Sequence, residues 1–381
     1  MAYVRYTNMV SFTSIGSKNK KGFPVILTSN KSVHRLSLQF FLSIRQNLSI
    51  NTVATYATHL CDFLSQLETD NEGLPETDQI QWDEIDDAWF EGYSNELIRR
   101  YCSEADNSTN YVSQVLRTVI AYLFWCQNQG FARNLIGSTD IFRIRVKTDE
   151  SGQKASHPLV TRLSRQKSPN RSAPNERWIQ VVKESTTLVN IQVRYRYELM
   201  IDWCVASGLR AHEVCALTMH QLPSRKTAVN AHINEENVFI NLKVTKGSKS
   251  ALLPISPLLV IRTWDFIENQ RVKILQPFLE IARKKRVNLV EPTEIFLSST
   301  TGRAINPRTF SNQVRSAWLS AVNSNQLTED ESVWVHGFRH RFTTNKRKAL
   351  KNDELTKHLT RHKSINSLDT YSFEYLNGED K

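Results

Sequence analysis

One stretch divides this chain of 381 residues. Residues 149–175 contain Glu150-Ser-Gly-Gln-Lys-Ala-Ser-His-Pro158 and Arg165-Gln-Lys-Ser-Pro-Asn-Arg-Ser-Ala-Pro174. These runs are polar and rich in Pro and Ser, a composition that cannot bury a core and reads as a solvated linker. The chain is therefore expected to fold as separate halves, each long enough for its own core.

Helical spacing dominates the first half. Val53, Tyr56, Leu60, Phe63, Leu64 and Leu67 recur at about 3.6 residues, and so do Val112, Val115, Leu116, Val119, Ile120 and Leu123 before Gly130. Residues 1–30 are an N-terminal segment, and 31–148 are expected to be a small all-helical domain of four helices. Beyond the linker, 176–381 form the second domain. There Tyr195–Ala206 is strongly apolar and stops at Ser207-Gly208. Asn237–Val244 and Ser250–Ile255 read as strands around Thr245-Lys246-Gly247-Ser248-Lys249, a hairpin signal. Further helices are expected near 257–285, 307–323, 336–350, 353–361 and 364–373. The fold class is mainly α with a small β-sheet.

Charge is unevenly spread over a net +11. Residues 1–50 carry seven basic and no acidic side chains, and 51–150 carry seven basic against seventeen acidic. Residues 151–175 have five basic and no acidic side chains, and 176–381 has thirty against twenty-one. A basic linker and a basic second half suit a polyanion. Five cysteines without a C-x-x-C pair read as reduced thiols rather than a disulfide framework or zinc site. No apolar run reaches the length of a membrane span, and no secretory signal is evident. A cytoplasmic, nucleoid-associated protein is expected.

Phosphate-loop, dinucleotide, zincin and serine-hydrolase motifs are all missing. What remains is arginine and histidine chemistry. Ser207-Gly-Leu-Arg210-Ala-His-Glu213 puts an Arg at a helix start, where the dipole is already positive. That placement suits an anion, although an ion pair with Glu213 explains it equally. His336 and Arg339 in His336-Gly-Phe-Arg339-His340 share one helix face. His362 precedes Tyr371 by nine residues. Arg308, at the opening of a helix, is either a phosphate contact or solvated surface.

Taken together and in order, SGLRAHEVCAL, TKGSKSALLPI, HGFRHRFTT and LTRHKSINSLDTY resemble the motifs of the tyrosine recombinases, the phage integrase family. Two departures stand out: Gly337 where that family usually carries Asp, and Thr360-Arg361 where a Gly usually precedes the second His. The resemblance implies a helical core-binding domain followed by a catalytic domain. It implies that Arg210 and Arg339 bind the scissile phosphate, that His336 contacts the reacting oxygens, and that Lys246 protonates the leaving 5′-oxygen. It further implies that His362 hydrogen-bonds the phosphate and that Tyr371 is the nucleophile, with Tyr375 as rival. Lys249, Arg308, Arg162, Arg165, Lys167 and Arg171 are expected DNA contacts. No metal or cofactor is implied. The partner implied is double-stranded DNA with paired core sites, bound by a homotetramer that is a monomer or weak dimer when free. The neighbouring readings are a type IB topoisomerase and a catalytically silent DNA-binding regulator of the same fold.

Overall fold

The computed structural model describes residues 1–7, 22–102, 109–148, 155–164, 172–242, 250–361, 364 and 368. The chain forms two units, Met1–Pro169 and Asn170–Lys381.

The first unit is built on the four expected helices, α1 (Arg35–Arg45), α2 (Ile50–Asp70), α3 (Asp87–Tyr101) and α4 (Asn110–Asn128), with α2 and α4 where the apolar spacing placed them. Side-chain oxygens start two of them. Ser49 accepts from the Thr52 amide at 3.2 Å, and Asp86 from the Trp89 amide at 2.9 Å. The periodic positions Val53, Leu60, Phe63, Val112, Val115, Leu116 and Val119 are all fully buried in one core. Short strands fringe this bundle. β1 (Tyr3–Tyr6) pairs antiparallel with β2 (Pro24–Leu27), β3 (Ile136–Gly137) parallel with β4 (Ile144–Arg145), and β5 (Lys147–Thr148) antiparallel with β6 (Ala155–Ser156).

The expected tether is folded in its middle. α5 (Pro158–Ser164) buries Leu159, Val160 and Leu163 in the first unit's core. His157 anchors its start: Nδ1 accepts the Leu159 amide at 3.2 Å, and Nε2 lies 3.1 Å from Asp87 Oδ1. Three apolar residues at helical spacing, with a proline at the first turn, outweigh the polar residues around them.

The second unit packs helices around α7 (Ile191–Ser207), which buries Tyr197, Met200, Ile201, Trp203 and Cys204. A helix apolar on most sides belongs at a centre. α6 (Glu176–Glu184) precedes it; α8 (Ala211–Cys215) and α9 (Arg225–Ile233) follow. β7 (Val238–Leu242) and β8 (Ala251–Ile255) pair antiparallel, with Leu242 opposite Ala251. Val238, Ile240 and Leu242 face inward while Phe239 and Asn241 face out, the period of two that a half-buried strand requires. α10 (Pro257–Phe266) runs through one π-helical segment, Ile267–Arg271, into α11 (Val272–Lys284). α12 (Pro307–Asn323), α13 (Val335–Leu350) and α14 (Asp353–Thr360) complete the described helices. The five cysteines carry free thiols, and no described helix is long and apolar enough to cross a membrane.

Candidate active site

α7 ends at Gly208, with φ 62° and ψ 27°. Any side chain there is opposed twice, by the left-handed backbone and by the Phe342 ring, 2.4 Å from where a Cβ would stand. Phe342 lies on α13, so this close approach sets the end of α7 against the helix that carries His336 and Arg339. The chain then turns through buried Leu209 and presents Arg210 as the N-cap of α8.

Glu213 completes that cap. Its Oε2 accepts the Arg210 backbone N–H at 2.9 Å, and its Oε1 accepts Arg210 Nη1 at 3.0 Å. The ion pair that explains Arg210's place at the helix start is therefore present. The side chain is paired with Glu213, yet 22% of it is exposed. Beyond that one partner its guanidinium makes no hydrogen bond among the described residues.

Arg339 lies one turn along α13 from His336 and points inward, with no exposed surface. Its Nη1 donates to the Gly208 carbonyl at 2.7 Å and its Nη2 to the Thr360 carbonyl at the end of α14. It thus ties α13, the Gly208 turn and α14 together. Arg361, the next residue after α14, joins the same network: its Nη2 lies 3.1 Å from Glu213 Oε2 and 3.1 Å from the Gly208 carbonyl. Three guanidiniums thus converge on one buried carboxylate and one carbonyl. Such a donor set repels a metal cation and favours a phosphate.

His336 is exposed, and its ring stands edge-on to that of His340, centroids 5.2 Å apart. The protein packed about it, then the charges of Arg339 and Arg210, hold its pKa below the usual 6.5. A neutral imidazole at pH 7 can accept a proton or a hydrogen bond, and no hydrogen bond engages the ring among the described residues. His340 sits between His336 and Trp334, and burial, then His336, then Arg339 push its pKa down to about 4. The unfolded chain takes up these protons near pH 6.5 and the folded protein resists them. Stability should consequently fall as pH drops from about 6.5 towards about 4. Urea midpoints across that window should decline less for His340→Gln than for the wild type; parallel declines would remove His340 as a cause.

The structure thus brings Arg210, His336 and Arg339 together. Arg308 stands exposed at the start of α12, its amide 2.8 Å from Asn306 Oδ1, and Arg162 is exposed on α5. Among the described residues Arg308 makes no hydrogen bond or ion pair with this cluster. Lys246, Lys249, His362, Tyr371, Arg165, Lys167 and Arg171 lie outside the described residues. Gly337 is buried, and a Cβ there would lie 3.0 Å from the Trp334 ring and 3.1 Å from Pro174. An Asp at 337 would have to displace both. Sequence reasoning missed Arg361 as a member of the site; the one signal was an Arg where the related motif has Gly.

The phage integrase family model matches residues 179–375, just over half of the chain. No curated protein matches the chain by sequence. Solved structures similar to it include the XerH site-specific recombinase bound to its difH substrate in a pre-cleavage complex. That structure has a TM-score of 0.54 and 15% identity, over 88% of this chain and 82% of that one. The lambda integrase tetramer bound to a Holliday junction has a TM-score of 0.53 and 13% identity, over 91% and 79%. The Tn1549 transposon integrase (residues 82–397) with circular intermediate DNA has a TM-score of 0.53 and 14% identity, over 91% and 98%. At these identities the likeness is one of fold.

Proposed function

The chain belongs to the phage integrase family, the tyrosine site-specific recombinases, and on that premise we propose how its residues divide the work of breaking and rejoining DNA. Tyr371 Oη attacks the scissile phosphorus, forming a 3′-phosphotyrosine as the bond to the 5′-oxygen breaks. Lys246 gives that departing oxygen its proton. Arg210 donates to the non-bridging oxygens, and Arg339, buried with its Nη groups on the Gly208 and Thr360 carbonyls, adds its positive charge to the field behind it. His336 receives the tyrosine's proton, and His362 hydrogen-bonds the phosphate. The ester keeps the energy of the broken bond, so a 5′-hydroxyl from another strand can attack it and reseal the DNA without ATP.

The observation that carries this reading is the convergence of Arg210, Arg339 and neutral His336 around the Gly208 turn. A free tyrosine is ionised in only about one molecule in a thousand at pH 7, a deficit of ~4 kcal/mol. A concentrated positive field next to a proton acceptor opposes that deficit. Lys246 is tested by chemistry. Lys246→Ala should cleave poorly on ordinary DNA and recover on a substrate whose bridging 5′-oxygen is sulfur, because a thiolate leaves without a proton. Recovery of Lys249→Ala instead would move the role along the hairpin.

The DNA partner of this proposal is a pair of core sites held by a homotetramer, with residues 31–148 as the core-binding domain and Lys249 and Arg308 as phosphate ligands. Arg162, Arg165, Lys167 and Arg171 are assigned to the backbone beside the site. Neutralising these four should make log affinity fall less steeply with log salt, by about 0.9 for each phosphate no longer neutralised. Binding to all sequences should weaken alike. An unchanged slope would leave them as solvated surface.

A further inference from the structure

Arg361 has no part in the scheme above, and its place is costly. It caps the C-terminal end of α14 at φ 59° and ψ 42°. There a Cβ crowds the backbone and glycine is the usual occupant. Its side chain does not reach for water. It is 10% exposed, and its Nε and Nη1 are buried without a hydrogen-bond partner among the described residues. Burial lowers its pKa, with Glu213 opposing and Arg210 adding to the fall. Desolvating a guanidinium in a disfavoured turn needs a compensating role.

The hydrogen-bond pattern supplies one. Glu213 offers two oxygens. Oε1 holds Arg210 through Nη1 alone, while Oε2 is taken by the Arg210 backbone N–H and by Arg361. With Oε2 open, the planar fork of Arg210 could pair with both oxygens and turn its donors from substrate to carboxylate. With Oε2 occupied, Arg210 keeps most of its N–H groups for an anion. Arg361 also shares the Gly208 carbonyl with Arg339.

We propose that Arg361 is a positioning residue of the strand-cleavage centre: by holding Glu213 Oε2 and the Gly208 carbonyl, it keeps Arg210 singly tethered and aligned with Arg339. This rests on the phosphotyrosine reading above. It makes the arginine a working substitute at a glycine position rather than a tolerated irregularity.

The test is single-turnover cleavage of a nicked duplex carrying a site selected by the protein from random DNA. Arg361→Gly restores the residue that the backbone prefers, so folding is not the obstacle. Cleavage at saturating DNA should fall by roughly 10- to 100-fold, the cost of a misplaced reacting group, with affinity changed less than about threefold. Arg361→Lys should recover part of the rate. In a double-mutant cycle, Arg210→Ala with Arg361→Gly should cleave no more slowly than Arg210→Ala alone, because one residue acts through the other. Wild-type cleavage by Arg361→Gly, or losses that multiply in the double variant, would overturn the proposal. A wild-type protein that forms no covalent adduct would overturn the phosphotyrosine reading and this proposal with it. Adducts with an unchanged Arg361→Gly rate would overturn this proposal alone.

Discussion

Tyr371→Phe should bind its DNA site as the wild type does and form no covalent adduct with a nicked substrate. The aromatic ring survives the change, and only the attacking oxygen is lost. The proposed phosphate contacts lie elsewhere in the chain, so binding should hold while cleavage falls by roughly 10⁴-fold or more, as when a nucleophile is removed. Gel shift and denaturing gel on the same samples separate the two effects. An adduct that persists in Tyr371→Phe and disappears in Tyr375→Phe would transfer the nucleophile to Tyr375.

The second large effect divides two arginines that look equivalent in sequence. Arg210→Ala and Arg339→Ala should each slow cleavage by roughly 10²–10³, the first by removing a donor to transition-state charge and the second by removing the buried charge behind it. Their effects on the fold should differ. Arg339 is fully buried and donates to the Gly208 and Thr360 carbonyls, so its removal takes a donor from two acceptors and should cost about 2–4 kcal/mol of stability. Arg210 is partly exposed, and Arg361 still neutralises Glu213 in its absence, so its loss should cost under about 1 kcal/mol. Urea midpoints beside cleavage rates give both quantities. Equal stability losses would contradict the tethering role of Arg339, and a parallel fall of affinity with rate would make both arginines ground-state clamps.

The pattern of what the sequence reveals follows from range. α2 and α4 are legible because helical burial repeats locally, and β7 and β8 because their strands flank a turn-rich pentapeptide. His336 and Arg339 are legible because i, i+3 spacing places them on one helix. α5 is hidden: Leu159, Val160 and Leu163 are too few to stand out among polar neighbours, and their helix packs against α4. Arg361 is hidden for a stronger reason. In sequence it marks only a missing glycine, and its meaning comes from Glu213 and Gly208, about 150 residues away along the chain. The demand on Gly208 is likewise set by Phe342. Sequence spacing reports neighbours on one element, and this site is made where α7, α8, α13 and the end of α14 meet.

Strand transfer through a phosphotyrosine at Tyr371 would leave a covalent mark on one residue. The most direct measurement is to trap wild-type protein on a nicked duplex that loses its short 5′-hydroxyl strand, digest the adduct, and identify the modified peptide by mass spectrometry. One peptide is expected, bearing a nucleotide 3′-phosphate on Tyr371. A nucleotide on any other residue, a 5′-phosphate linkage, or cleavage that leaves no covalent link to protein would contradict it.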